Sequence, residues 1–506
     1  MESLQLVAQP SQLAKHRFLV LGEPSPPESL LKRTTLPRRT ARRSWPPQRT
    51  YTVDLTRGMT EFNSKVAAVR GAILEGALIE ADLSNSGLVD FPLELLWPAR
   101  DSLELINLGG NSISSLPDEI RHFTKLRVLF FAGNKFARLP SVLGTMPSLY
   151  MLSFKSNCLE EVPEDSLSPS VGWLILTDNK IKSLPRSIGS LVGLRKCMLA
   201  ANELTELPAE MSNCRDLELL RLAANKLSSL PDWLLRLPKL SWLAFAGNPF
   251  AASSSPVEAC ADLRAQEVQF TDLEMQEKLG EGASGVVYRA VWRAHAHTSD
   301  VAVKLFKSGA TSDGLPEDEM KAMEAAGAHE NCAGVLGRLA GAPDKGMGLV
   351  LPLLPPSFSG LGGPPSFQSV TRDTFPPNSR FSLSSVVKIL KGVLSVLAHL
   401  HSKRITHGDV YAHNVLVDFI SGRPVLSDFG AASFYSSLDA HTSRRLQGIE
   451  VRALGCLLDD LLQRAGDDEG EGGVLGLLQQ VLERCMAPDP SLRPLFSELQ
   501  AELAGL

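Results

Sequence analysis

The stretch Leu217-Glu218-Leu219-Leu220-Arg221-Leu222-Ala223-Ala224-Asn225 sets the pattern for the first half of the chain. Asn111, Asn134, Asn157, Asn179, Asn202, Asn225 and Asn248 stand 22 or 23 residues apart, each preceded by the same apolar ladder, as in Leu126-x-x-Leu129-x-Phe131-x-x-Asn134. Most are followed by a Leu-Pro step (Leu139-Pro140, Leu184-Pro185, Leu230-Pro231), and a degenerate unit with Ser86 in the asparagine slot precedes them. A fixed period of this length marks one supersecondary unit repeated. No copy can bury its apolar face alone, so the copies stack. Asparagine suits the bend because its amide both donates and accepts, which satisfies backbone groups that the turn takes out of the strand ladder.

The pattern resembles the leucine-rich repeat, and residues 56–250 are expected to form an α/β solenoid of that family. Each unit holds a short strand whose leucines point inward, so the alternate residues face the concave side. These are Val128 and Phe130, Met151 and Ser153, Trp173 and Ile175, Lys196 and Met198, Leu219 and Arg221, and Trp242 and Ala244. A contiguous apolar band on a surface open to water implies an interface. Phe130, Met151, Trp173, Ile175, Met198, Leu219 and Trp242 are therefore expected to bind a partner protein, unless the second half of the chain folds back onto them.

The character of the sequence changes after a Ser/Ala/Pro-containing connector at 251–266. Gly280-Glu281-Gly282-Ala283-Ser284-Gly285-Val286-Val287 is followed by Val301-Ala302-Val303-Lys304. A glycine-rich flap and an apolar strand ending in lysine fit the cradling of nucleotide phosphates. Glu319, in a helical stretch at 317–326, is placed to pair with Lys304, with Glu317 and Glu324 as near rivals. Further on, His407-Gly408-Asp409-Val410-Tyr411-Ala412-His413-Asn414 precedes Asp428-Phe429-Gly430. Phosphoryl transfer needs a carboxylate to orient the acceptor hydroxyl and take its proton, a role assigned to Asp409. It also needs oxygen ligands for Mg²⁺, assigned to Asn414 and Asp428.

Residues 267–506 resemble a two-lobed α+β protein kinase, and the whole chain is similar to intracellular leucine-rich-repeat protein kinases. The resemblance implies ATP and Mg²⁺ as cofactors and transfer to serine or threonine of a protein substrate. Gly280, Gly282, Gly285, Val287, Ala302 and Lys304 would line the nucleotide site. Leu351 would stand at the gatekeeper position, with the Pro352 carbonyl and the Leu354 N–H meeting the adenine. The tail from Met486 to Pro494 (MAPDPSLRP) resembles the last kinase motif.

The chain departs from that family at several points. Gly408 replaces the arginine of the usual His-Arg-Asp, which makes it a non-RD sequence and argues against switching by an activation-loop phosphate. Tyr411 stands where serine/threonine kinases carry a lysine. Only 22 residues separate Asp428 from Glu450, which is expected to open the central helix of the second lobe at 450–462. No Ala-Pro-Glu motif fits between them, so Arg493 must find another acid, with Glu450 one candidate. Two alternatives follow: a catalytically weak pseudokinase scaffold, or a small-molecule kinase of the HGDxxxxN type. Residues 355–381, rich in Pro, Gly and Ser, are expected to form a loop across the second lobe or an element that guides substrate.

A chain of 506 residues exceeds one hydrophobic core, which agrees with two folded parts. A net charge of −5 gives no case for nucleic-acid binding. Seven scattered cysteines without paired spacing imply reduced thiols. The most apolar segment, 386–400, is broken by Lys388, Lys391 and His399, so no membrane-spanning helix is expected. Residues 1–55 read as a disordered tail, with seven basic residues and no acid at 32–49. A cytoplasmic location is expected, or a nuclear or plastid one directed by that run.

Overall fold

The computed structural model describes residues 59–76, 78–251, 266–282, 284–294, 297–342, 346–466 and 472–506. The tail 1–55, nearly all of the connector 251–266 and most of the acidic stretch 466–473 lie outside the described residues.

After a helix at Met59–Leu74, the chain lays down eight short strands, β1 to β8: Glu80–Asp82, Leu105–Asn107, Val128–Phe130, Met151–Ser153, Trp173–Ile175, Lys196–Met198, Leu219–Arg221 and Trp242–Ala244. They form one sheet in chain order, each parallel to the next. The register never slips, so Trp173, Lys196, Leu219 and Trp242 fall in one row and Ile175, Met198, Arg221 and Ala244 in another. Prolines such as Pro140 and Pro185 precede the 3₁₀ turns Ser141–Thr145 and Arg186–Ser190, where the coil turns back.

The asparagines staple coil to coil. Asn202 Oδ1 accepts the Ile181 N–H (3.1 Å), while Nδ2 donates to Leu176 O of the preceding coil (2.9 Å) and Leu199 O of its own (3.0 Å). The same three contacts recur at Asn134, Asn157, Asn179, Asn225 and Asn248. Between them the ladder leucines are fully buried, with Phe131, Phe136 and Phe154 packed ring on ring at 4.9–5.1 Å.

The second half opens with six strands, β9 to β14: Gln266–Gln269, Leu273–Glu281, Gly285–Ala294, His297–Phe306, Gly337–Ala340 and Gly348–Pro352. Their spatial order is β10-β11-β12-β14-β13-β9. A helix at Pro316–Ala326 shares an apolar cluster with them through Met320, Met323, Phe306 and Leu349. A helical lobe follows, built on Leu383–Ser402, Ala440–Leu462, Gly472–Cys485 and Phe496–Glu502.

Two expectations change here. The helix Leu383–Ser402 is, by length and composition, long and apolar enough to cross a bilayer, contrary to the reading of its charges as interruptions. Its apolar face (Val386, Ile389, Leu390, Val393, Leu394, Leu397, Leu400) is buried inside the lobe as its central helix. The next helix begins at Ala440 rather than at Glu450. Asp439 caps it, its Oδ1 accepting the N–H groups of His441 (2.9 Å) and Thr442 (3.0 Å), and Glu450 lies in mid-helix.

The concave face of the repeat sheet is covered by this helical lobe. Phe130, Met151, Trp173, Ile175, Met198, Leu219 and Trp242 are each less than a tenth exposed and belong to one apolar cluster with Val410, Tyr411 and Val393. These residues thus offer no free surface to a separate partner, because the chain's own second half occupies it. Trp242 stacks flat on Tyr411 (4.3 Å, 7°) and donates its Nε1–H to Val410 O (3.0 Å). The 355–381 segment wedges into the seam. Phe367 stacks on Phe130 (6.3 Å) and tilts against Trp173 (6.2 Å), and Thr371 bonds Glu218 and Arg195. Arg445 pairs with Asp232 (2.7 Å), and Arg452 donates to Lys239 O (2.9 Å) and Ser241 Oγ (2.6 Å).

Returning a buried aliphatic or aromatic side chain to water costs about 1.5–3 kcal/mol. The seven apolar side chains together make separation of the halves unfavourable by on the order of 10 kcal/mol. The two halves are one packed unit.

The asparagine staples set the first expectation for experiment. Asn202→Ala leaves the buried Ile181 N–H and two carbonyls without their side-chain partner, at a cost of about 1–3 kcal/mol. Urea unfolding of the variant should show a lowered midpoint with an unchanged slope.

Candidate active site

The two catalytic stretches converge on one cleft between the strand lobe and the helical lobe. Strand β10 ends at Glu281 and β11 starts at Gly285, with Gly282 N–H donating to Gly285 O (2.9 Å) across the turn. Gly285 is needed for close approach, because a Cβ there would sit 2.5 Å from Leu305 O. Val287 lies opposite Lys304 in register, and Ala302 lies opposite Leu351. Leu351 and Leu354 are half-buried at the start of the lobe connection. Lys304 Nζ bonds Glu319 Oε1, and Glu319 is 1% exposed. Burial works against the charged lysine, but Glu319, with Asp428 also near, outweighs it and raises the Lys304 pKa.

Asn414 Nδ2 donates to Asp409 O (3.0 Å) and Oδ2 (2.7 Å), which fixes both residues. Asp428 has a left-handed backbone (φ 59°), a strained conformation that asparagine and aspartate tolerate, and its Oδ1 accepts the Gly430 N–H (3.1 Å). Asn414 Oδ1 and Asp428 Oδ2 carry no hydrogen bond among the described residues. One amide oxygen and one carboxylate oxygen fit Mg²⁺, which keeps waters and substrate phosphates for its remaining positions. His407, fully buried, places Nε2 at Ser427 O (3.1 Å) and accepts the Asp409 N–H at Nδ1 (3.3 Å), tying the two stretches together. Burial holds its pKa below the usual histidine value.

Arg221, on β7 of the repeat sheet and 2% exposed, reaches into this cleft. Its Nη2 bonds Asp409 Oδ1, its Nη1 donates to Gly408 O (2.9 Å) and its Nε to Asp313 Oδ1 (2.7 Å). Burial would raise the Asp409 pKa, but the guanidinium outweighs it and holds the carboxyl below the ordinary aspartate value. Lys196, one strand away, lies over the Trp173 ring (4.3 Å), and burial beside Arg221 pushes its amine down to about 8. Asp373, 5% exposed, holds His413 through Nδ1 (2.7 Å) and the His413 N–H (3.1 Å). Burial alone would lower the His413 pKa, but the Asp373 bond raises it.

The glycine at 408 has a structural cause. It sits at φ +73°, and a Cβ there would lie 2.5 Å from Ala431 O and 2.9 Å from Leu243 O of the repeat sheet. No arginine fits where the repeat half leans on the loop. Glu450 takes up the backbone instead, Oε1 accepting the Gly408 N–H (2.6 Å) and Oε2 meeting His401 Nε2 (2.6 Å). Glu450 is therefore not the partner of Arg493. That guanidinium is buried among carbonyls, donating to Ala487 O (2.8 Å), Gly448 O (2.9 Å) and Pro238 O (2.8 Å) of the repeat half.

Lys304, Glu319, Asp409, Asn414 and Asp428 are thus brought together, and strand register sets Val287 beside Lys304 and Ala302 beside Leu351. Arg221, Asp313 and Asp373 were not foreseen there. A signal existed for Arg221: with Lys196, it interrupts an otherwise apolar stripe.

Residues 273–462 match the sequence profile of the family described as protein tyrosine and serine/threonine kinase. Residues 273–462 thus carry the sequence pattern of a protein kinase domain. It is similar to a serine/threonine-protein kinase/receptor of Acanthamoeba polyphaga mimivirus, 25% identical over 287 residues, which cover 47% of this chain and 16% of that protein. A cell division control protein 7 homologue of Encephalitozoon cuniculi is 29% identical over 158 residues, 31% of this chain and 39% of that one. A serine/threonine-protein kinase of Dictyostelium discoideum is 28% identical over 167 residues, 32% of this chain and 9% of that one. In each case the matched region is well under half the relative's length.

Gly408→Ala tests the fit of the kinase domain against the repeat sheet. A residue forced to φ +73° costs about 1–2 kcal/mol before the contacts with Leu243 O and Ala431 O are counted. Thermal unfolding should begin several degrees lower than in the wild type, whereas the same change at Gly282, where a Cβ meets nothing within 4 Å, should leave the curve nearly unmoved.

Proposed function

We propose that the chain is an ATP-dependent protein kinase that phosphorylates serine or threonine, with a leucine-rich-repeat solenoid built onto its catalytic lobe. The observation that carries this is the buried Lys304–Glu319 pair in the same cleft as Asp409, Asn414 and Asp428. Lys304, held by Glu319, binds and orients the nucleotide phosphates. Asp409 orients the acceptor hydroxyl and takes its proton. Asn414 and Asp428 would hold Mg²⁺, which when bound neutralises charge on the phosphates. The residues contribute mainly by positioning and by charges already in place when the phosphoryl group moves. The glycine flap from Gly280 to Gly285 covers the phosphates and limits water.

A second reading, the weak scaffold, has two observations in its favour. Both Asp409 oxygens are already engaged, by Arg221 and Asn414, and the repeat face covers the front of the loop. Labelled ATP and Mg²⁺, incubated with the full chain and a generic acceptor protein, separate the two. The kinase reading expects transfer that falls about 10²-fold or more in Asp409→Asn and Lys304→Met. ATP binding without transfer to the chain or to any acceptor gives the scaffold. Label appearing only on small alcohols gives the HGDxxxxN type.

A further inference from the structure

The catalytic loop lacks two cations, with Gly408 and Tyr411 in their places. We propose that the repeat half supplies the missing charge: Arg221 is a catalytic cation of the transfer reaction, bonded to Asp409 and facing the transferring phosphoryl group. This rests on the kinase reading above and adds to it a residue from outside the kinase domain.

Three features of the geometry lead there. The slot of the loop lysine is filled by the Tyr411 ring, and Trp242 lies flat against it at 4.3 Å. Trp242 and Arg221 stand on adjacent strands, Leu219 opposite Trp242 and Arg221 opposite Ala244. The aromatic anchor that closes the usual cation slot therefore delivers a cation beside it, one strand spacing away. Second, three N–H groups of Arg221 are used, on Asp313, Gly408 O and Asp409. A guanidinium has five, so one N–H on each terminal nitrogen has no acceptor among the described residues. Third, the charges require it. Asp313 stands beside the Asp428-Phe429-Gly430 turn, its Cβ 3.7 Å from where a Cβ on Gly430 would be. Asp313, Asp409 and Asp428 bring three carboxylates to this turn, and Arg221 is the guanidinium that bonds two of them.

In the reaction, the acceptor hydroxyl oxygen bonds to the γ-phosphorus as the bond from that phosphorus to the bridging oxygen breaks. The bridging electron pair leaves with ADP and the hydroxyl proton passes to Asp409. Arg221 is unchanged; its free N–H groups meet negative charge on the equatorial phosphoryl oxygens, where a buried guanidinium acts most strongly. The packing that joins the halves keeps it there through the cycle.

The test uses the full chain with Arg221→Met, which keeps the apolar stem, and Arg221→Lys, which keeps the charge. The dissociation constant of Mg²⁺–ADP is measured with and without aluminium fluoride, a mimic of the transferring phosphoryl group, alongside kcat and KM for ATP. The expected result is unchanged ADP affinity in both variants. The gain from aluminium fluoride should be lost at least tenfold in Arg221→Met and partly kept in Arg221→Lys, with kcat falling on the order of 10³-fold in the methionine variant. Transfer that rises in Arg221→Met makes the side chain a plug rather than a catalyst and overturns the proposal. An aluminium fluoride gain equal to that of the wild type overturns it as well. Absence of transfer in the wild type is the separate failure of the kinase reading, and the binding comparison still decides the role of Arg221.

Discussion

Trp242 against Tyr411 is the contact on which the arrangement turns. A flat stack at 4.3 Å, pinned by the indole N–H on Val410 O, presses the repeat sheet onto the catalytic loop at the point where side chains bearing charge would otherwise project. With the sheet that close, Gly408 can carry no side chain, since Ala431 O and Leu243 O together occupy its space. The loop backbone must then be held by something other than its own arginine, and Glu450 and Arg221 hold it from two sides. The departures of this kinase domain from the common pattern are thus mutually dependent, each answering the presence of the sheet.

The interface also explains the polar chemistry within it. A buried aspartate next to apolar surface would tend to be neutral, and the guanidinium of Arg221 reverses that tendency for Asp409. A buried arginine left alone would be equally costly, so Asp313 and Gly408 O complete its surroundings. Arg493 solves the same problem differently, with three carbonyls and no acid, one of them contributed by the repeat half. The two halves share their buried charges as well as their apolar core.

Much of this could be read from the sequence. The asparagine period fixes coil length and stacking, because an amide that must reach the next coil permits little variation in spacing. The phosphate chemistry was legible because few side chains can do it and their order along the chain is characteristic. The concave stripe was legible as something to be covered, but not as to what covers it. The role of Arg221 needed the fold, since its partners Asp313, Gly408 and Asp409 lie 92 to 188 residues away. The start of the helix at Ala440, capped by Asp439, was not legible because the kinase resemblance placed the opening acid at Glu450, which lies in mid-helix. The charges in 386–400 hid an apolar face long enough for a bilayer and spent on a protein core instead.

The unshifted register of the repeat sheet has a consequence for how this chain can change over time. Solenoids commonly gain or lose whole coils, since each contacts only its neighbours. Here a coil added before β3 would leave the docked surface where it is. A coil gained or lost between β6 and the connector would slide Arg221 past Asp409 by one strand spacing, about 4.8 Å. Repeat number is therefore free to drift at one end of this eight-stranded sheet and locked at the other.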